Sequence, residues 1–258
     1  MNVYMMTDIE GVSGLRHIEE AQTGTAKYEA ARRLLCGDVN AAIEGAFDAG
    51  ADTVLVRDGH ASGFNFILDL MDPRALYTGP GGGWCPGLDD AFDLAFFVGA
   101  HAMAGTQNAF LEHTQSSKSW YRYTVNGREF GEQGQFGAYC ANFGVPVGLV
   151  TGDQAACDEA NDFFPHCETV AVKFATGRNS CICIHPDKTH EMIRAAAKKA
   201  VERAGEMTPL DVTYPAEIVM SYMRTDSADS MAGKRGVERV DSRTVKWTAA
   251  NAGELLLR

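Results

Sequence analysis

Val3-Tyr4-Met5-Met6-Thr7-Asp8-Ile9-Glu10-Gly11 opens the chain with an apolar, strand-like run that ends in two carboxylates. Two further runs repeat the design: Thr53-Val54-Leu55-Val56 leads into Asp58-Gly59-His60, and Ala95-Phe96-Phe97-Val98 leads into Gly99-Ala100-His101. The second run shows no polar alternation, as expected of a strand buried on both faces. Between the first two, Tyr28, Leu34, Leu35, Val39, Ile43 and Phe47 recur near helical spacing over residues 25–49, and Gly50 supplies the stop. Strands alternating with helical patterns read as βαβ units around a largely parallel sheet. The predicted fold class is therefore α/β, a three-layer α/β/α arrangement with a mainly parallel sheet plus a smaller mixed α+β C-terminal portion. The expected division is residues 1–155 and 156–258.

Further along, residues 77–87 are glycine-rich, carry Trp84 and read as an irregular loop. Their Gly81-Gly82-Gly83 run lacks the spacing and strand-to-helix context of a phosphate-binding loop. Residues 121–130 hold Asn126-Gly127 between apolar and aromatic flanks, a strong hairpin signal, and Glu132 follows it. Residues 145–150 and 169–174 are predicted strands and residues 188–203 a helix. Residues 218–223 and 239–247 are expected to form a terminal β pair. No internal repeat or low-complexity tract is present.

The composition narrows the classes. Of 258 residues 45% are apolar and 22% charged, ordinary values for a globular protein. Lys plus Arg number 23 against 34 Asp plus Glu, a net charge of -11, and no basic block stands ready to track a phosphate backbone, so nucleic acid is not an expected partner. The first residues show no basic n-region or cleavage site, and no apolar run approaches the ~20 residues needed to span a bilayer. A cytoplasmic protein without membrane association is expected. The seven cysteines form no C-x-x-C pair and read as reduced thiols, with Cys181-x-Cys183 read as strand packing.

Chemistry gathers where the polar residues fall. Asp8, Glu10, His60 and His101 each lie at or just beyond the C-terminal end of a predicted buried strand, the edge at which open parallel sheets bind ligands. Asp8 and Glu10, two apart in an extended segment, can present both carboxylates to one site. Taken singly, an acidic pair at a strand end is often a cap and a lone histidine often structural. The joint placement at successive strand ends is what points to a site, and His17, His166, His185 and His190 do not share it. Carboxylates and imidazoles without thiolate suit a catalytic zinc or manganese ion, and five or more such ligands suggest two metals sharing a carboxylate.

These residues resemble a known family. Residues 4–14, Tyr-Met-Met-Thr-Asp-Ile-Glu-Gly-Val-Ser-Gly, look like the opening of the DppA-like zinc-dependent D-aminopeptidases, self-compartmentalising metallopeptidases. Arg57-Asp58-Gly59-His60, Gly99-Ala100-His101-Ala102 and Gly131-Glu132-Gln133-Gly134 resemble that family's later metal motifs, in order, and Glu112-His113-Thr114 resembles the segment carrying its catalytic histidine. Weaker similarity extends over nearly all of the chain. The resemblance implies two zinc ions per chain, Asp8 bridging them, Glu10 and His60 completing one and His101 and Glu132 the other. It also implies that His113 stabilises the tetrahedral intermediate or moves protons. It further implies release of N-terminal D-residues from short peptide substrates inside a homo-oligomer, a decamer of two stacked pentamers.

Two departures bear on substrate choice: Thr114 stands where the family pattern has serine, and Ser116-Ser117-Lys118-Ser119 makes the next loop unusually polar. Trp84 and Trp120 are further candidates for shaping the pocket. The competing readings are a metal-dependent amidase or peptidase of different substrate stereochemistry, a nucleotide-binding protein on a doubly wound sheet, and a non-catalytic zinc-binding peptide-binding protein that would not need His113.

Overall fold

The computed structural model describes residues 1–256. Two sheets organise them. The larger is built from β1 (Asn2–Thr7), β2 (Thr53–Asp58), β3 (Leu76–Tyr77), β4 (Leu94–Ala100), β7 (Val147–Asp153), β8 (Glu168–Gly177) and β9 (Ser180–Cys183), and the smaller from β5 (Trp120–Val125), β6 (Arg128–Glu129), β10 (Ala216–Tyr222), β11 (Glu238–Arg239) and β12 (Thr244–Ala249). The helices are α1 (Ala26–Asp48), α2 (Glu132–Ala141), α3 (Gln154–Phe163), α4 (Pro186–Glu202) and α5 (Thr225–Ala232).

The large sheet has the order β3-β2-β1-β4-β7-β8-β9, parallel throughout except for the β8–β9 hairpin. The chain leaves β1 towards β2 on one side and returns to β4 on the other, so the gap beyond β1 and β4 is a topological switch point, where such sheets open a crevice. Every side chain of β4 is buried. Val3 and Met5 of β1 pack with Leu94, Phe96 and Val98 against α1 and α4, while Tyr4 and Met6 pack with Ala95 and Phe97 on the opposite face. Period-2 alternation thus feeds two cores, one on each face. On the second face lie α2 and the smaller antiparallel sheet, order β11-β12-β10-β5-β6. The α/β class and the mainly parallel sheet hold.

Several details depart from expectation. β2 alternates between buried and half-buried positions, because only the two-residue β3 lies beyond it. The predicted hairpin forms β5 and β6, with Asn126 and Gly127 both left-handed at the turn, and it joins the small sheet beside β10. The expected boundary near residue 155 falls in α3, between β7 and β8, which are neighbours in the large sheet. Helices α2 and α3 were not foreseen. α2 contains Gly134 and Gly137, poor helix formers, and is buried nearly all round, so it shows no amphipathic stripe. Its glycines let the Phe163 and Phe164 rings of the α3 end pack against the helix: a Cβ at Gly134 would lie 2.8 Å from Phe163, and one at Gly137 2.4 Å from Phe164.

Candidate metal centre

The sheet edge delivers the expected residues to one place. Asp8 and Glu10 follow β1, His60 follows β2 and His101 follows β4, while Glu132 arrives as the first residue of α2. The turn after β1 is held against the end of β4: Asp8 N–H donates to the Val98 carbonyl and Gly11 N–H to the Gly99 carbonyl, each at 2.9 Å. The contact is so close that a Cβ on Gly99 would sit 2.2 Å from the Asp8 carbonyl oxygen. Asp58 does not face the site; its carboxylate accepts from the Asn65 backbone and side chain, and Asn65 Nδ2 also donates to the His60 carbonyl, which sets the loop that presents His60.

Asp8 divides its two oxygens between two imidazoles. Oδ1 lies 2.9 Å from His60 Nδ1 and Oδ2 lies 3.4 Å from His101 Nε2. Glu10 Oε2 is 3.1 Å from His60 Nδ1, and Glu132 Oε1 is 3.4 Å from His101 Nε2. Two donor groups result, Asp8 with Glu10 and His60, and His101 with His113 and Glu132, the ligating atoms of each within 4.8 Å of one another. His101 Nδ1 meets the Ala102 carbonyl at 3.0 Å, so Nε2 is the ring nitrogen that faces the site.

Electrostatics shows how much this arrangement asks of its centre. Burial opposes the charge on Asp8, yet the His101 and His60 imidazoles beside it outweigh burial and hold the carboxyl below its usual range. Burial likewise opposes charge on His60 and His101, but Glu10, Glu132 and Asp8 keep both imidazoles well above theirs. Glu10 Oε2 and His101 Nε2 are buried and make no well-formed hydrogen bond, their near neighbours being the other donors of the site. Buried polar atoms are rarely left orphaned in a native fold, and a cation shared among oxygen and nitrogen donors satisfies both. The residues present therefore fit a metal.

His113 sits beside this centre on a constrained loop. Asn108, Leu111 and Gln115 take left-handed φ values of 54°, 54° and 59°, costly for a bulky residue such as Leu111. The loop is over-determined from outside: Leu111 N–H donates to the Arg178 carbonyl at 2.8 Å and the Glu112 carboxylate pairs with Arg178 Nε at 2.8 Å. The His113 ring stacks on His101 at 3.8 Å, and its Nδ1 meets the Leu111 carbonyl at 2.8 Å. Nε2 is thereby left facing the site, 3.8 Å from Glu132 Oε1. A cavity of about 520 Å³ opens over these groups, with Arg57, Trp84, Ser116, Ser117 and Lys118 among its walls. Trp120 is not among them; it stacks on Tyr123 in the small sheet.

The profile of the D-aminopeptidase family matches residues 1–257. The chain belongs to the D-aminopeptidase family. A D-aminopeptidase of Bacillus subtilis (strain 168) is 33% identical over 242 residues, covering 90% of this chain and 86% of that protein. The solved structure described as the zinc-dependent D-aminopeptidase DppA from Bacillus subtilis, a self-compartmentalizing protease, superposes with a TM-score of 0.95 at 28% identity, covering 99% of this chain and 94% of that one. Family membership makes this chain an aminopeptidase, so the hydrolase class expected from the sequence holds. The nucleotide-binding reading falls with it.

Three groups around the centre escaped sequence reasoning. Glu159 of α3 is buried, accepts from Met103 N–H at 2.7 Å, and burial pushes its carboxyl up to about 8. Arg178 anchors the His113 loop from the β8–β9 turn. Lys173 lies wholly buried in β8. The one available signal was a single lysine inside the apolar run Val170-Ala171-Val172-Lys173-Phe174, where a solvent-facing position is the ordinary reading. Cys181 and Cys183 sit side by side, Sγ to Sγ 3.6 Å, apart from both donor groups.

Proposed function

We propose that this aminopeptidase releases N-terminal D-residues from short peptides at a binuclear zinc site, in which Asp8 bridges the ions, Glu10 and His60 complete one and His101 and Glu132 the other. The observation that carries the reading is the division of the Asp8 carboxylate between His60 and His101. The zinc-dependent relative and the two orphaned donor atoms support the same assignment. When bound, such a metal pair supplies a water of lowered pKa and a Lewis acid for the scissile carbonyl.

The chain's own groups do the rest. Its carboxylates neutralise the metal charge and fix where the peptide carbonyl can sit. His113 takes up or returns a proton at Nε2, since Nδ1 is held by the Leu111 carbonyl. Trp84 and the polar loop at Ser116–Lys118 bound the space left for the substrate. One observation favours a second role for His113: its ring belongs to the same donor group as His101 and Glu132, so it could instead ligate. We propose in addition a homo-oligomer, a decamer by family resemblance, supported by the exposed apolar side chains of Phe64, Leu68 and Leu70 in one segment.

The test is hydrolysis of D-Ala-D-Ala and L-Ala-L-Ala by purified protein, with metal content measured before and after chelation. Cleavage of the D-isomer, lost on chelation and restored by zinc, is expected. About two bound metals without cleavage of either peptide would redirect the search to amides, and absence of bound metal would refute the site. Native mass in solution checks the assembly.

A further inference from the structure

Lys173 is fully buried in the middle of β8, and no salt bridge joins it to a carboxylate among the described residues. Burying an ammonium without a paired charge is expensive, so the groups it does meet need a reason. Its Nζ donates to the Glu10 carbonyl at 2.8 Å and to the Leu15 carbonyl at 2.9 Å, and it stands 4.7 Å from the centre of the Phe110 ring. Glu10 and Leu15 are the two ends of the turn that follows β1, and Phe110 opens the loop that carries His113. A single ammonium therefore holds the backbone that presents one half of the centre and rests on the Phe110 ring at the start of the His113 loop. The Glu10 carboxylate itself faces His60, Oε2 lying 3.1 Å from Nδ1, so the turn behind it sets how it meets that imidazole. With the carbonyl end of Glu10 pinned by Lys173 and Gly11 N–H pinned to Gly99, the peptide plane between them has one orientation, and the direction of the side chain follows.

Resting on the metal-site reading above, we propose that Lys173 is a positioning residue for zinc: it holds the Glu10–Leu15 turn so that the Glu10 carboxylate meets the ion held with His60. Support of this kind behind a ligand is typically worth about 10–100-fold in metal affinity or activity. Lys173→Met keeps an unbranched stem out to Cε and removes all three donors.

Zinc affinity is read by competition with a chelator in the wild type, Lys173→Met and Ile193→Ala, the last a truncation of the α1–α4 core away from the site. The expected result is a tenfold or greater weakening of zinc binding in Lys173→Met, with wild-type affinity in Ile193→Ala even where its melting temperature falls as far. Wild-type zinc affinity and turnover in folded Lys173→Met would overturn the proposal and leave Lys173 a packing residue. Absence of zinc binding by the wild type would instead sink the metal-site reading, so the two failures are told apart. If Lys173→Met does not fold, Lys173→Arg, which keeps the charge but moves the donors, is measured in the same way. Weakened binding supports positioning, and unchanged affinity overturns it.

Discussion

Gly99→Ala probes how tightly the site depends on backbone contact at the switch point. Gly99 has φ +78°, a left-handed value that costs an alanine about 1–2 kcal/mol. The added methyl would lie 2.2 Å from the Asp8 carbonyl oxygen and 2.8 Å from Val12 Cγ1. A carbon–oxygen contact relaxes at about 3.3 Å, so Asp8 and the Gly99 backbone must separate by roughly 1 Å. Overpacking of this kind adds about 1–3 kcal/mol, for a total of about 2–5 kcal/mol. At this chain length that lowers the melting temperature by roughly 4–20 °C. The same displacement moves Asp8 beyond the ~0.5 Å that a ligand constellation tolerates, and misplacement by about 1 Å can cut turnover 10²-fold. The assays are a thermal melt, chelator competition for zinc, and hydrolysis of D-Ala-D-Ala. Gly105→Ala is the control: φ is +86° but no atom lies within 4 Å of the added methyl, so only the conformational penalty applies and zinc binding stays unchanged. Gly99→Ala with the melting temperature and zinc affinity of Gly105→Ala would refute the close-contact argument.

Other outcomes follow from the same geometry. His113→Ala is expected to keep both zinc equivalents and lose about 10²–10⁴-fold in turnover, read by metal analysis and steady-state kinetics; loss of one equivalent would make it a ligand instead. Glu10→Gln removes a charged donor beside His60 and should fall below two zinc per chain, whereas full occupancy would take Glu10 out of the ligand set. Glu159 ties stability to pH. Its folded carboxyl is raised to about 8 against an ordinary 4.5, so between those values the folded state holds a proton the unfolded state has released, and stability falls as pH rises through that window by an amount of order a few kcal/mol. In chelated protein, Glu159→Gln should flatten that decline in denaturant titrations from pH 5 to 8; an unchanged slope would assign the pH dependence elsewhere.

Much of this protein was legible in the chain alone. The runs at residues 3–7 and 95–98 lack charge because both faces of those strands are covered, residues 53–56 because one face of theirs is, and polar groups reappear where each strand ends and the crevice begins, so Asp8, Glu10, His60 and His101 announce themselves by position. The Asn126-Gly127 turn was equally plain, since few other pairs accept two left-handed residues in succession. Tertiary structure alone decided the rest. α2 is buried all round and rich in glycine, so no periodic pattern marks it, and Glu132 reaches the site only because the Phe163 and Phe164 rings of α3 seat that helix. The assignment of β5 and β6 to the small sheet depends on pairing with β10, some ninety residues later in the chain, which no local pattern encodes. Lys173 and Arg178 meet backbone carbonyls and a carboxylate brought close by the β8–β9 hairpin, and a lone cation in a strand looks the same in sequence whether it meets water or the back of a buried turn. Side-chain periodicity records which face a residue turns to; what waits on that face is set by the packing of distant segments.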